Sequence, residues 1–180
     1  PFPAACNTVA YTLPDDAESW PPENAFTIPE DGDIITGLMP MGSFLYILKQ
    51  RSIYRFTVQR DPLTDGETWL GTKRGCINHR CFVVIGDTSL LLDERGIHSF
   101  NGQQESNDAS SPVQDIFRDG GGNIPINWNA SRFFHAVHSL SEQTVRWFVA
   151  FRGHYLPRHA LAYNYVTNNW WIEYYPRAVG

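Results

Sequence analysis

Cys76, His79 and Cys81 place three metal-ligand side chains within six positions. A structural zinc site needs four ligands, usually on paired Cys-x-x-Cys elements, and only Cys6 remains to supply a fourth thiolate. The competing readings are a turn into a strand with Cys81 buried as a small apolar residue, or a Cys76 to Cys81 disulfide. His135 and His138 form a pair by spacing, as do His154 and His159. Residues three apart on a strand point to opposite faces, so His135 and His138 are not expected to meet at one ion. Both pairs read as sheet or turn histidines.

The acidic residues offer little more. Asp15, Asp16, Asp31, Asp33, Asp93 and Glu94 all fall in predicted turns, where solvated carboxylates are ordinary. Asp31-Gly32-Asp33 lacks the further spaced oxygens and terminal Glu of a calcium loop. Gly120 to Gly122 precedes no Lys-Ser/Thr, and no Gly-x-Ser-x-Gly elbow occurs. Asp65-Gly66-Glu67-Thr68-Trp69 is similar to the Asp-box turn of sialidase-like propellers, which brings a glycoside hydrolase into consideration. Gly66 directly follows Asp65, however, so the Ser/Thr-x-Asp-x-Gly-x-x-Trp spacing is absent. The sequence therefore predicts no catalytic residue and no cofactor. Trp170, Trp171, Tyr174 and Tyr175 are the candidate interaction aromatics: one face of their strand should fill the core and the other should meet a protein or a sugar.

The elements that would carry these residues are strands. Aromatic residues make up 14% of the 180-residue chain and charged residues 18%, below the share of an ordinary soluble domain, which favours sheets over helices. Three cysteines are an odd number, so a disulfide framework is not expected to hold the fold. The net charge is −5 and the 14 Lys and Arg are scattered along the sequence, so nucleic acid is not the expected partner. No apolar run reaches membrane-spanning length.

Short apolar strands separated by polar turns recur. Ile35 to Leu38, Phe44 to Leu48 and Ser52 to Val58 form one set, and Cys81 to Ile85, Ser89 to Leu92 and Gly96 to Phe100 repeat it. Turns are predicted at Pro40-Met41-Gly42, Lys49-Gln50-Arg51, Gly86-Asp87 and Asp93-Glu94-Arg95. An offset of 44 residues aligns Leu48 with Leu92, Arg51 with Arg95, Ile53 with Ile97 and Phe56 with Phe100, a period typical of a propeller blade. A third set follows at Phe133 to His138, Val145 to Phe151, His159 to Tyr165 and Trp170 to Tyr174. Between them a short helix is predicted over 111–119, with Ser111 as cap, Pro112 at its first position and Gln114 completing a capping box. Its apolar face would carry Val113, Ile116 and Phe117. Thr8 to Leu13 and Asn24 to Ile28 read as half a blade.

Leu45 and Ile47 face one side of their strand, Tyr46 and Leu48 the other, so both faces should be covered, as in stacked blades. The prediction is one all-β module over 1–180: partial blade 1–30, blade 31–74, blade 75–110, helical insertion 111–122 and blade 123–176. A β-sandwich or barrel is the alternative. About three and a half blades fall short of the four or more that close a propeller, so the chain is expected to be part of a longer polypeptide or to assemble with copies of itself.

Asp31 to Leu38 with Leu45 to Phe56, Gly75-Cys76 leading into Leu90 to Phe100, and Ala160 to Tyr165 with Trp170 and Trp171 together resemble the family of phage virion proteins with a propeller-like domain, of the tail nozzle and tail stabilisation type. The resemblance spans most of 18–175. It implies a non-enzymatic structural part of a tail, made in the host cytoplasm, located in the virion, and ringed with copies of itself and other tail proteins. A carbohydrate- or host-receptor-binding propeller module is the alternative, with a surface glycan as its ligand.

Overall fold

The computed structural model describes residues 7–13, 15–28, 32–57, 68–103, 107–118 and 125–179. Cys6, the Asp65 to Glu67 turn and Gly120 to Gly122 lie outside them. Three four-stranded sheets and one two-stranded sheet follow one another along the chain. The two-stranded sheet joins β1 (Thr8–Ala10) to β2 (Ala25–Thr27). The first full sheet runs β3 (Ile35–Met41), β4 (Phe44–Lys49), β5 (Ile53–Thr57), β6 (Thr68–Thr72). The second runs β7 (Phe82–Ile85), β8 (Thr88–Asp93), β9 (Gly96–Phe100), β10 (Asn107–Asp108). The third runs β11 (His135–Ser139), β12 (Thr144–Val149), β13 (His159–Asn164), β14 (Asn169–Tyr174). Every pairing is antiparallel between chain neighbours, and no barrel closes among the described residues. The fold is all-β and built of blade-like sheets.

The 44-residue step holds at the level of register. Leu48 pairs with Ile53 and Leu92 with Ile97. Met41 pairs with Phe44 and Ile85 with Thr88, leaving two-residue turns whose first members, Gly42 and Gly86, have φ of 59° and 60°. That left-handed conformation is what tight hairpins need and what glycine adopts without a Cβ penalty. Pro40 and Met41 therefore belong to β3, not to the turn. Pro40 is tolerated because β3 is an edge strand that pairs only with β4.

Both faces of β4 are covered. Tyr46 and Leu48 join the main core with Leu91, Ile97, Phe100, Trp147 and Leu161. Ile47 joins a second cluster with Val9, Ile28, Tyr54 and Phe56, against which Phe26 and Leu45 pack. Each such buried side chain contributes roughly 1.5–3 kcal/mol. Rings bridge the sheets: Phe26 stacks on Phe56 at 4.6 Å, and Tyr46 meets Phe100 edge-on at 5.2 Å. Trp147 Nε1 of the third sheet donates to the Cys81 carbonyl at 3.2 Å.

Several expectations are corrected. The segment after Ser110 is a 3-10 helix over Ser111–Ile116, broken at Val113, where φ is −121° and ψ 22°. Ser110, not Ser111, stands at its cap; its hydroxyl accepts the Ile97 amide instead, and the Gln114 side chain donates to the Arg95 carbonyl, so no capping box forms. Val113, Ile116 and Phe117 do pack on the core. The strand expected over Thr8 to Leu13 ends at Ala10, and Phe133 closes a second 3-10 helix, Trp128–Phe133, instead of opening β11. Strands β6 and β10 were not foreseen. Among the described residues no helix is long and apolar enough to cross a membrane.

Candidate functional site

Alternation within each sheet gives the molecule two ends. The β4–β5 and β8–β9 turns and the linker after β6 share one end: Cys76 donates its amide to the Lys49 carbonyl, Ile77 to the Leu92 carbonyl, and Arg95 Nη2 to the Lys73 carbonyl at 2.7 Å. The β3–β4 and β7–β8 turns lie at the other.

The first end is organised by buried carboxylates. Asp93 accepts Arg74 Nε at 2.9 Å and Nη2 at 2.8 Å, and its Oδ1 accepts the Arg95 amide at 2.9 Å. Asp33 Oδ2 accepts the Arg51 amide and the Ser52 hydroxyl, each at 2.9 Å. The equivalent amides of Arg51 and Arg95 are thus both fixed by acids, but from unrelated positions in the repeat. Lys49 occupies the position equivalent to Asp93, is buried, and lies 5.5 Å from the Tyr54 ring centre. Between the turns opens a cleft of about 340 Å3 lined by Gln50, Arg51, Lys73, Asp93, Glu94 and Arg95.

A smaller cleft, about 260 Å3, lies at the opposite end between the second and third sheets, lined by Ile85, Thr88, Leu90, Ser99, Tyr163 and Tyr165. Tyr163 stacks on Trp170 at 4.4 Å, and burial pushes its phenol up. The Tyr165 hydroxyl lies 3.2 Å from His138 Nε2.

The predicted metal group does not assemble: among the described residues no three His, Cys, Asp or Glu side chains are grouped for a cation. Cys76 and Cys81 are buried free thiols while His79 is exposed. Burial pushes the Cys76 thiol up to about 12, and raises that of Cys81 well above its ordinary value. Cys76 Sγ donates to the Asn78 carbonyl at 3.1 Å. His79 is held beside Gly37, where an added Cβ would come 2.9 Å from the His79 Cβ. His135 stacks on Phe148 at 4.8 Å on one face of its sheet and His138 points to the other, as strand geometry requires. His154 and His159 lie 6.2 Å apart, and His159 is depressed first by burial and then by its neighbour's charge.

The four terminal aromatics separate. Trp170 stacks on Trp147 at 6.0 Å and belongs to the core side. Trp171 Nε1 and the Tyr175 hydroxyl donate to Glu173 at 2.9 and 2.7 Å on the outer face, and Tyr174 is exposed. Arg146 also reaches Glu173, through Nε at 3.0 Å. Burial raises the Glu173 carboxyl, but the hydrogen bonds from Arg146, Tyr175 and Trp171 outweigh it and leave the group below its usual value.

Sequence reading missed the charged cleft and the Tyr163–Tyr165 cleft. A signal for the first was present, because the alignment that paired Arg51 with Arg95 put both at the same turn. The second depends on packing between sheets. The fold and these end clefts define an all-β module of blade-like antiparallel sheets. No protein-family model and no curated protein matches the chain.

Proposed function

We propose that this chain is a non-enzymatic structural module of a phage tail, in which propeller-like blades join with copies of themselves or with neighbouring tail proteins into a ring. The observation that supports this reading is the outer face of the third sheet. Val137, Arg146, Ala162 and Trp171 are paired across it in one row, and the two ends of that row, Val137 and Trp171, are 48% and 38% exposed. In a stack of blades such a face is covered by the next sheet. The β1–β2 sheet has two strands where the others have four, so β1 has an edge without a strand partner among the described residues.

Light scattering at micromolar concentration tests the assembly, with a ring-sized oligomer expected and Trp171→Glu expected to weaken it. A stable 20.5 kDa monomer that unfolds cooperatively would sink it. Immunogold labelling of phage particles tests the location, and absence of label from the tail would overturn that part.

A second reading, a module that binds surface carbohydrate, is favoured by the cleft that carries Tyr163 and Tyr165 beside the hydroxyls of Thr88 and Ser99. Apolar walls with a few placed polar groups suit a sugar ring. Glycan-array binding weakened by Tyr165→Ala would support it, silence across the array would remove it, and cleavage of a bound glycan would instead indicate a hydrolase.

A further inference from the structure

The scatter of cations along the sequence hides a segregation in space. Arg51, Lys73, Arg74 and Arg95 stand in turns and linkers at the first end of the sheets, beside Asp33, Asp93 and Glu94, and Arg152 and Arg158 in the corresponding turn between β12 and β13. The turns between β7 and β8 and between β11 and β12 at the opposite end carry Asp87 and Glu142, and among the described residues no Lys or Arg. Because strands alternate in direction, every second turn returns to the same end, so residues far apart in sequence share one surface.

Within the basic end the charged cleft has an unbalanced lining. Asp93 is shared between the two-pronged Arg74 contact and Arg95 Nε at 3.7 Å, which leaves Glu94 as the counter-charge to Arg51 and Lys73. The Arg51 and Lys73 side chains are exposed and make no ion pair among the described residues. Arg95 is held by its Nη2 contact to the Lys73 carbonyl and by Nε lying 3.7 Å from Asp93, so its guanidinium is ordered in advance. The amide of Arg51 is fixed by Asp33. Preordered cations lose less freedom on binding than mobile ones.

We infer that this cleft binds a tetrahedral oxyanion, a phosphate or sulfate group. Three cations on three separate chain segments meet such an anion from different sides, whereas a planar carboxylate is satisfied by one guanidinium fork. The cleft has room beside the anion for the unit that bears it. This inference is independent of the tail assignment.

The test is a titration of the full chain with sodium phosphate and sodium sulfate against sodium chloride at constant ionic strength, followed by amide NMR. Saturable shifts at Arg51, Lys73 and Arg95 are expected. The exposed Arg51→Ala and Lys73→Ala variants, with melting temperatures unchanged in chloride, should each bind roughly tenfold more weakly, the scale of one charged hydrogen bond. Glu94→Gln should bind more tightly, an effect that a merely structural role for these residues does not produce. A parallel arm with dextran sulfate separates a polymer-borne group, bound at lower anion concentration than the free ion, from a free anion, bound equally well. Shifts that do not saturate, that match those in chloride, or that persist in the Arg51→Ala/Lys73→Ala double variant would overturn the inference.

Discussion

Arg74 and Asp93 join the first and second sheets through two parallel hydrogen bonds of 2.9 and 2.8 Å, with side chains 14% and 5% exposed. Arg74 lies in the linker that leaves β6 and Asp93 ends β8, so the pair fixes how one sheet sits on the next. Removing one partner leaves a buried charge uncompensated. Asp93→Ala should therefore cost about 3 kcal/mol in urea unfolding. Arg74→Met/Asp93→Ala should cost less than the sum of the single changes, and strict additivity would contradict the coupling.

Burial depresses the His98 imidazole to about 4, more than the nearby Asp93 charge and the hydrogen bond to Gly75 raise it. Nε2 lies 2.9 Å from the Gly75 carbonyl, which can only accept, so Nε2 carries the proton and the buried Nδ1 stands bare. A histidine with a folded pKa below its unfolded value is charged preferentially in the unfolded chain. Its neutral form is accommodated fully above about pH 6.5, and stability is lost as pH falls from there to about 4, by about 3 kcal/mol in all. Unfolding measured from pH 7 to pH 4 should show this slope, and His98→Leu should flatten it.

Gly42 and Gly86 share a left-handed backbone, and a Cβ at either would meet nothing within 4 Å. Alanine there should cost about 1–2 kcal/mol from the backbone alone, and asparagine less. Gly75 differs, since a Cβ there runs into the Lys49 carbonyl and the Gln50–Arg51 backbone. Gly75→Ala should be the most damaging of the three by thermal melting.

Cys76 and Cys81 are buried, with thiols raised far from the thiolate state. In a Cys6→Ser background their reaction with an aromatic disulfide reagent should follow the rate of unfolding. Fast labelling of the native protein would show that this part of the core is open.

The three full sheets and the 44-residue step were legible because they are local: alternating apolar strands, two-residue turns and paired identities such as Leu48 with Leu92 are printed along the chain. β6 escaped because Trp69 and Leu70 are followed by Gly71, a poor strand former, and β10 because Asn107–Asp108 carries no apolar pattern. The helix was misjudged because Ser110 and Gln114 serve the β8–β9 turn before they serve the helix. The charged cleft needed the fold, since Arg51, Lys73 and Arg95 meet only after two sheets have packed.

Each strand pairs only with the strand before or after it in the chain. The hydrogen-bonded part of the molecule therefore has low contact order, and long-range organisation is left to side-chain packing and to a few cross-sheet bonds such as Trp147 to Cys81. A chain wired this way can complete one sheet before the next is made, during synthesis or refolding. It should also open by whole sheets, each acting as a foldon, with hydrogen-exchange protection stepping from sheet to sheet and higher in the first and second full sheets, which are packed on both faces, than in the two-stranded sheet.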